Sequence, residues 1–200
     1  MGIAVVAWGS LVWCPGSLQM QTRWRRDGPR LPLEFARISK DGRLTIVIHS
    51  GSKEQQTFWC LSALASLDEV RDNLRERERA KPADIHYLVR NGNSTPCIPQ
   101  DVIRTMHAWL GLHSDPSAVV WTGLSSNWEE KRGKEFSVAD AVAYLVELES
   151  KRDTATTTFE RAREYVRNAP PEVQTEVRKQ LQARGRAWQD AILSPILFEG

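Results

Sequence analysis

Residues 3–13 read IAVVAWGSLVW, and this stretch decides the fold. Its first six residues are apolar without alternation, which is typical of a strand that is buried on both faces. Gly9-Ser10 then breaks the strand, and unpaired N–H groups at a strand end can bind an oxyanion. A tight turn after a first strand, with no ligand, is the simpler interpretation of the same residues.

More β-rich runs follow along the chain. The runs at 33–39 and 43–49 are separated by Lys40-Asp41-Gly42, which predicts a hairpin because glycine tolerates a positive φ. Periodicity predicts further short strands at 57–61, 85–89 and 118–121, and helices at 62–81, 99–110 and 137–148. This many short strands before residue 125 predict a closed or nearly closed sheet that includes the hairpin.

The tail is helical and strongly charged. Pro170-Pro171-Glu172 is predicted to start a helix, and its apolar stripe consists of Val173, Val177, Leu181 and Trp188. That stripe needs a covering surface, which the rest of the chain or a second copy in a homodimer would provide. Arginine alternates with glutamate over 161–186, which is typical of a solvent-exposed helix face and not of a nucleic-acid site.

The helix predicted from residue 62 carries a carboxylate on its apolar face. At about 100° per residue, Glu78 lies roughly 20° from Leu67 and roughly 40° from Leu74 around the helix. Glu69 and Glu76 lie on the opposite side and are expected to face solvent. A carboxylate that points toward the core is unfavourable unless it is paired or functional.

Glu78 therefore has two interpretations. In the first, it forms an ion pair with Arg37, Arg71 or another arginine. In the second, it is a general base, because desolvation would raise its pKa toward neutrality.

Composition limits the function classes. The net charge of +2 gives little attraction to nucleic acid or membrane surfaces. Three scattered cysteines without a CxxC pair favour free thiols in a reducing compartment, so we expect the cytoplasm. The four histidines lack metal-ligand spacing, and neither a phosphate loop nor a dinucleotide fingerprint is present.

The loop and the helix together resemble the gamma-glutamyl cyclotransferase superfamily. Trp8-Gly9-Ser10-Leu11-Val12-Trp13 is similar to the Tyr-Gly-Ser-Leu-Ile-Trp loop of its glutathione-acting branch. Leu74-Arg75-Glu76-Arg77-Glu78 resembles the Leu-Asp-x-x-Glu segment that ends with the base, whereas the competing register 67–71 would place an arginine there. The likeness covers about residues 1–125, and the tail resembles only one bacterial group within the superfamily.

Three positions depart from the family pattern. Trp8 stands where the family has tyrosine, and Arg79 follows Glu78 where glycine is frequent. Tyr87 is the candidate for the family's later pocket tyrosine, although it is equally an ordinary strand residue.

The resemblance implies an α+β fold: a small mixed β-barrel with flanking helices over 1–152, and a helical C-terminal extension over 153–200. It implies that a gamma-glutamyl amide cyclises to 5-oxoproline and releases an amine, with Glu78 as the general base. The implied substrate-binding residues are Trp8, Gly9, Ser10, Leu11 and Tyr87, with neither metal nor cofactor.

Two rival functions use the same pocket. One is a different amide or amine reaction, and the other is a small-molecule binding module without turnover. An unpaired Glu78 beside an open cavity would favour an enzyme. An arginine bound to Glu78, or a pocket filled by Trp8 or Trp13, would favour the binding module.

Overall fold

The computed structural model describes residues 2–96, 98–151, 156–191 and 198. The described part is a mixed α+β structure, as predicted. It consists of two compact units. With the undescribed residues left out, the first unit is formed by residues 2–31, 56–124 and 198, and the second by residues 32–55 and 125–191. The predicted domain boundary between residues 152 and 153 lies outside the described residues.

The described strands are β1 (Gly2–Ala7), β2 (Leu31–Ile38), β3 (Leu44–Ile48), β4 (Glu54–Gln55), β5 (Phe58–Leu61), β6 (Ile85–Val89) and β7 (Pro116–Thr122). The described helices are α1 (Ser10–Trp13), α2 (Leu67–Glu78), α3 (Gln100–Leu112), α4 (Trp128–Arg132), α5 (Val138–Ser150), α6 (Thr156–Asn168) and α7 (Glu176–Arg184). None of these helices combines the length and the apolar character that crossing a bilayer would need.

The first unit is built on a four-stranded sheet in the order β5-β1-β7-β6. The central strand β1 pairs antiparallel with β5 and parallel with β7, so that Val6 lies between Trp59 and Trp121. Residues 3–6 are at most 5% exposed. The predicted strand buried on both faces is therefore confirmed, and its carboxyl end leads directly into Gly9-Ser10.

Helix α2 packs on β6 and β7 through the buried residues Val70 and Leu74. It begins later than predicted because Ser66 caps it: the Ser66 hydroxyl accepts from the Glu69 N–H (3.2 Å), and the Glu69 carboxylate accepts from the Ser66 N–H (3.3 Å). Its last residue is Glu78, and Arg79 ends it in the left-handed conformation with φ 51°.

Replacing Arg79 by glycine is expected to stabilise the protein. The left-handed region costs a residue with a Cβ atom roughly 1–2 kcal/mol, and glycine removes this cost while losing part of the gain to a more flexible unfolded chain. We expect Arg79→Gly to raise the free energy of unfolding by about 0.5–1 kcal/mol in a urea titration. A lower value would mean that the exposed Arg79 side chain contributes more than the backbone costs.

The second unit contains a three-stranded sheet in the order β3-β2-β4. Strands β2 and β3 form the predicted hairpin, with Gly42 at φ 82° and its N–H donating to the Ser39 carbonyl (3.0 Å). The hairpin thus belongs to a different sheet from β1. In the described part of the chain neither sheet closes on itself, so the predicted barrel is not confirmed.

The tail differs from its prediction in where the helix begins. Thr175 caps α7 by accepting from the Arg178 N–H (3.3 Å), so Pro170-Pro171-Glu172 does not start it and Val173 precedes it. The four stripe residues are nonetheless at most 1% exposed, and α5 packs against α7 within this unit. The homodimer stays a prediction. Arg178 is fully buried, so the predicted solvent exposure of the charged tail is wrong at this position.

Candidate functional site

The buried strand β1 delivers the Gly9-Ser10-Leu11 loop to its carboxyl end. Trp8 is 6% exposed and Leu11 4% exposed, Gly9 is buried, and Ser10 is half-buried. The loop continues as the single turn α1, in which the Cys14 N–H donates to the Ser10 carbonyl (2.8 Å). Ser10 therefore lies half-buried between buried residues of this turn.

The first N–H groups of α1 have no acceptor within that helix. The Val12 N–H donates to the Gly9 carbonyl (2.9 Å). The N–H groups of Ser10 and Leu11 come too early in the helix to find an acceptor inside it. They are two of the three N–H groups, those of Gly9, Ser10 and Leu11, that the family resemblance implies as donors to substrate oxygens.

Glu78 is paired, and one of its partners is the preceding residue. Arg77 Nη1 donates to Glu78 Oε1 at 2.6 Å, and the two side chains are 12% and 20% exposed. The two arginines named from the sequence lie elsewhere: Arg37 donates to the Ser125 carbonyl (2.7 Å), and the Arg71 guanidinium lies over the Tyr87 ring. The ion-pair interpretation of Glu78 is therefore correct, and the arginine is Arg77, not Arg37 or Arg71.

Arg77 also reaches the loop. Its Nη1 lies 3.5 Å from Ser10 Oγ, a long hydrogen bond, and its Nη2 donates to the Cys14 carbonyl. One guanidinium therefore contacts both predicted segments, although 67 residues separate Ser10 from Arg77. Sequence reasoning did not single out Arg77, and the available signal was a basic residue in the last turn of a helix, next to a carboxylate on its apolar face.

Tyr87 lies on β6 and is half-buried. Its ring centre is 4.7 Å from the Arg71 guanidinium, and its N–H donates to Thr95 Oγ1 (2.9 Å). Arg71 precedes Glu78 by seven residues on α2, or about two helical turns. A role for Tyr87 in substrate binding stays a prediction.

The described residues contain no group of three histidine, cysteine or carboxylate side chains that would hold a metal ion. Burial raises the pKa of the Cys60 thiol, which makes Cys60 a poor nucleophile. Cys14 is exposed, and Cys97 lies outside the described residues.

A second polar cluster in the first unit was not predicted. Trp59 Nε1 donates to Asp27 Oδ1 (2.7 Å), and His113 Nε2 lies 3.1 Å from Asp27 Oδ2. His113 Nδ1 lies 2.8 Å from the Trp109 carbonyl, so both ring nitrogens lie within hydrogen-bonding distance of an oxygen atom. Burial tends to raise the pKa of Asp27, but the hydrogen bonds from Trp59 and His113 outweigh it and leave this pKa below 3.8.

This cluster predicts an acid-sensitive contribution to stability. A carboxyl group whose pKa is depressed on folding stabilises the native state above its ordinary pKa, and this stabilisation is lost as the pH falls through the folded value. We expect Asp27→Asn to melt earlier than the wild type at pH 7, and the difference to shrink below pH 3.8. Asp115→Asn, which removes an exposed partner of Arg25, should change melting little at either pH. A difference that stays constant across this range would contradict the linkage.

No protein-family model, curated protein or solved structure matches the chain.

Proposed function

We propose that the protein is a gamma-glutamyl cyclotransferase-like enzyme that cyclises a gamma-glutamyl amide to 5-oxoproline and releases an amine. One observation carries this proposal: Arg77 contacts Ser10 and Glu78, so the two motif segments come together at one place in the first unit. The left-handed conformation of Arg79 supports it as well, because glycine, which is frequent at this position in the family, favours that conformation.

In the proposed reaction, Glu78 takes a proton from the substrate's α-ammonium group. The freed nitrogen attacks the γ-carbonyl carbon, and the new C–N bond closes the five-membered ring. The bond to the leaving amine then breaks, and that amine receives the proton from Glu78. The ring nitrogen still carries one extra proton, which Glu78 takes and passes to the amine, so that 5-oxoproline and an ammonium ion are the products. Both reacting groups belong to one molecule, so positioning supplies much of the rate.

The loop would stabilise the charge that develops on the γ-carbonyl oxygen. The N–H groups of Ser10 and Leu11 are the proposed donors, since donors fixed in advance stabilise an oxyanion without reorganising. Trp8 and Tyr87 are proposed as walls of the pocket, and the family's β-barrel is proposed as the enclosing fold. The proposed reaction uses neither metal nor cofactor.

The ion pair favours a second candidate function, a binding module without turnover. Arg77 Nη1 donates to Glu78 Oε1, so this oxygen is not open to a substrate proton while the pair is formed. In this alternative the same residues bind a small molecule that carries both charges and do not transform it.

Incubation with a panel of gamma-glutamyl peptides and gamma-glutamyl amines tests the proposal. Mass spectrometry of the products should detect 5-oxoproline and an equal amount of free amine. Release of an amine together with glutamate would indicate a different amide reaction. Calorimetric binding of the panel without any product would establish the binding module in place of the enzyme.

A further inference from the structure

Arg77 and Glu78 present a cation and an anion side by side at the end of α2. Both side chains are largely withdrawn from solvent but not sealed, at 12% and 20% exposure. An α-amino acid carries the complementary charges on one carbon atom, an ammonium group and a carboxylate. A base that takes a proton from the ammonium group must therefore lie next to whichever group holds the carboxylate.

We propose that Arg77 is a specificity residue that binds the α-carboxylate of the substrate and in doing so releases Glu78. The inference rests on the proposed function, which supplies the substrate. It adds a role for Arg77, to which the sequence motif assigns none. The substrate carboxylate replaces Glu78 Oε1 at Arg77 Nη1, so that this Glu78 oxygen can accept the ammonium proton. Compounds without an α-carboxylate leave the Arg77–Glu78 pair intact and are poor substrates.

The hydrogen bonds of Arg77 fit this exchange. A guanidinium has five N–H donors, and the described bonds to Glu78, Ser10 and Cys14 use three of them. The other two have no acceptor among the described residues, so one of them together with the Nη1 donor that Glu78 leaves can bind both oxygens of the substrate carboxylate. The bond from Nη2 to the Cys14 carbonyl does not involve Glu78, so it keeps the guanidinium in place when Glu78 leaves.

The exchange also explains how an ion-paired glutamate can act as a base. In the free protein the pair leaves neither charge uncompensated in a partly desolvated site. A zwitterionic substrate brings one charge of each sign, so the site remains neutral when it binds. The presence of the α-carboxylate thereby determines whether Glu78 is available for proton transfer.

The test compares two substrates, γ-L-glutamyl-L-alanine and the analogue in which the α-carboxylate of its glutamyl residue is a carboxamide. Both are assayed with the wild type and three variants. The wild type is expected to favour the carboxylate in kcat/KM by about 10- to 100-fold, the usual effect of one charge-assisted hydrogen bond. Arg77→Met should lose this preference to within about threefold, whereas Arg77→Lys should keep part of it because the charge remains. Arg75→Met is the matched control, since Arg75 lies on the same helix and pairs with Asp72 (3.0 Å) and Glu76 (3.6 Å).

A merely structural role gives a different pattern. If Arg77→Met slows both compounds equally, Arg77 does not read the α-carboxylate and the inference is overturned. If the wild type releases neither 5-oxoproline from the carboxylate nor 5-oxoprolinamide from the carboxamide, the cyclisation proposal fails. Calorimetry of the same two compounds then tests the role of Arg77. If Arg77→Met loses affinity for the carboxylate compound only, the inference is supported. If the wild type binds neither compound, the inference is overturned.

Discussion

Glu78→Gln is expected to reduce 5-oxoproline release by about 10²–10⁴-fold, the usual contribution of a general base. The amide keeps the size of the side chain and an oxygen that can accept from Arg77 Nη1, so the contacts of Arg77 with Ser10 and Cys14 should persist. The ion pair is partly exposed and lies within one helix end, so we expect stability to change by no more than about 1–2 kcal/mol. The measurements are product release at saturating substrate and urea denaturation of the same preparation.

Glu76→Gln is the matched control for this prediction. Glu76 lies two residues earlier on α2, is 68% exposed and pairs only loosely with Arg75 at 3.6 Å. Its substitution should leave turnover and stability unchanged. A Glu78→Gln protein that turns over normally while folded would remove Glu78 from the chemistry. Normal turnover combined with a loss of about 3–5 kcal/mol would mean that the Arg77–Glu78 pair is a structural ion pair.

Local sequence patterns predicted the elements that form the candidate site. The apolar run of β1, the hairpin at Asp41-Gly42 and the orientation of Glu78 on its helix depend on residues that are close in sequence. The structure confirms the strand, the hairpin and the exposure of Glu76. Apolar spacing alone places the start of α2 too early. The capping box of Ser66 and Glu69 fixes that start at Leu67.

The partners of these elements could not be predicted in the same way. The sheet that a strand joins depends on contacts between distant residues, and one hairpin pattern is compatible with either sheet. The choice of Arg77 over Arg71 as the partner of Glu78 depends on side-chain directions at a helix end, where the bond to the Cys14 carbonyl holds the guanidinium. Likewise, no periodicity connects Asp27 with His113, which is 86 residues away.

Arg178→Met is expected to destabilise the second unit by about 3–5 kcal/mol. Arg178 has no exposed surface, and its guanidinium donates to the carbonyls of Pro170 (2.5 Å), Val173 (2.9 Å) and Ala169, and to Asp190 Oδ1 (2.7 Å). Burial lowers the pKa of Arg178, and the charge of Asp190 acts in the opposite direction. The variant would leave three carbonyls without their donor in a site that water cannot reach.

Lys179→Met provides the control, because Lys179 is the next residue on α7, is 45% exposed and pairs with Glu176 at 3.3 Å. We expect its effect to stay below about 1 kcal/mol. Arg178→Lys should fall between the two, since an ammonium group has three donors for four acceptors. Urea denaturation followed by tryptophan fluorescence gives the three free energies of unfolding. A value for Arg178→Met within about 1 kcal/mol of the wild type would show that the carbonyls find other donors.

The same variant separates stability from chemistry. All residues proposed to contact the substrate belong to the first unit, whereas Arg178 belongs to the second. Well below its melting temperature, Arg178→Met is therefore expected to release 5-oxoproline at the wild-type rate if the protein is a cyclotransferase. A loss of turnover in the folded variant, at a temperature where fluorescence shows native structure, would mean that the C-terminal helices contribute to the reaction. The proposal limited to Arg77, Glu78 and the Ser10 loop would then have to include them.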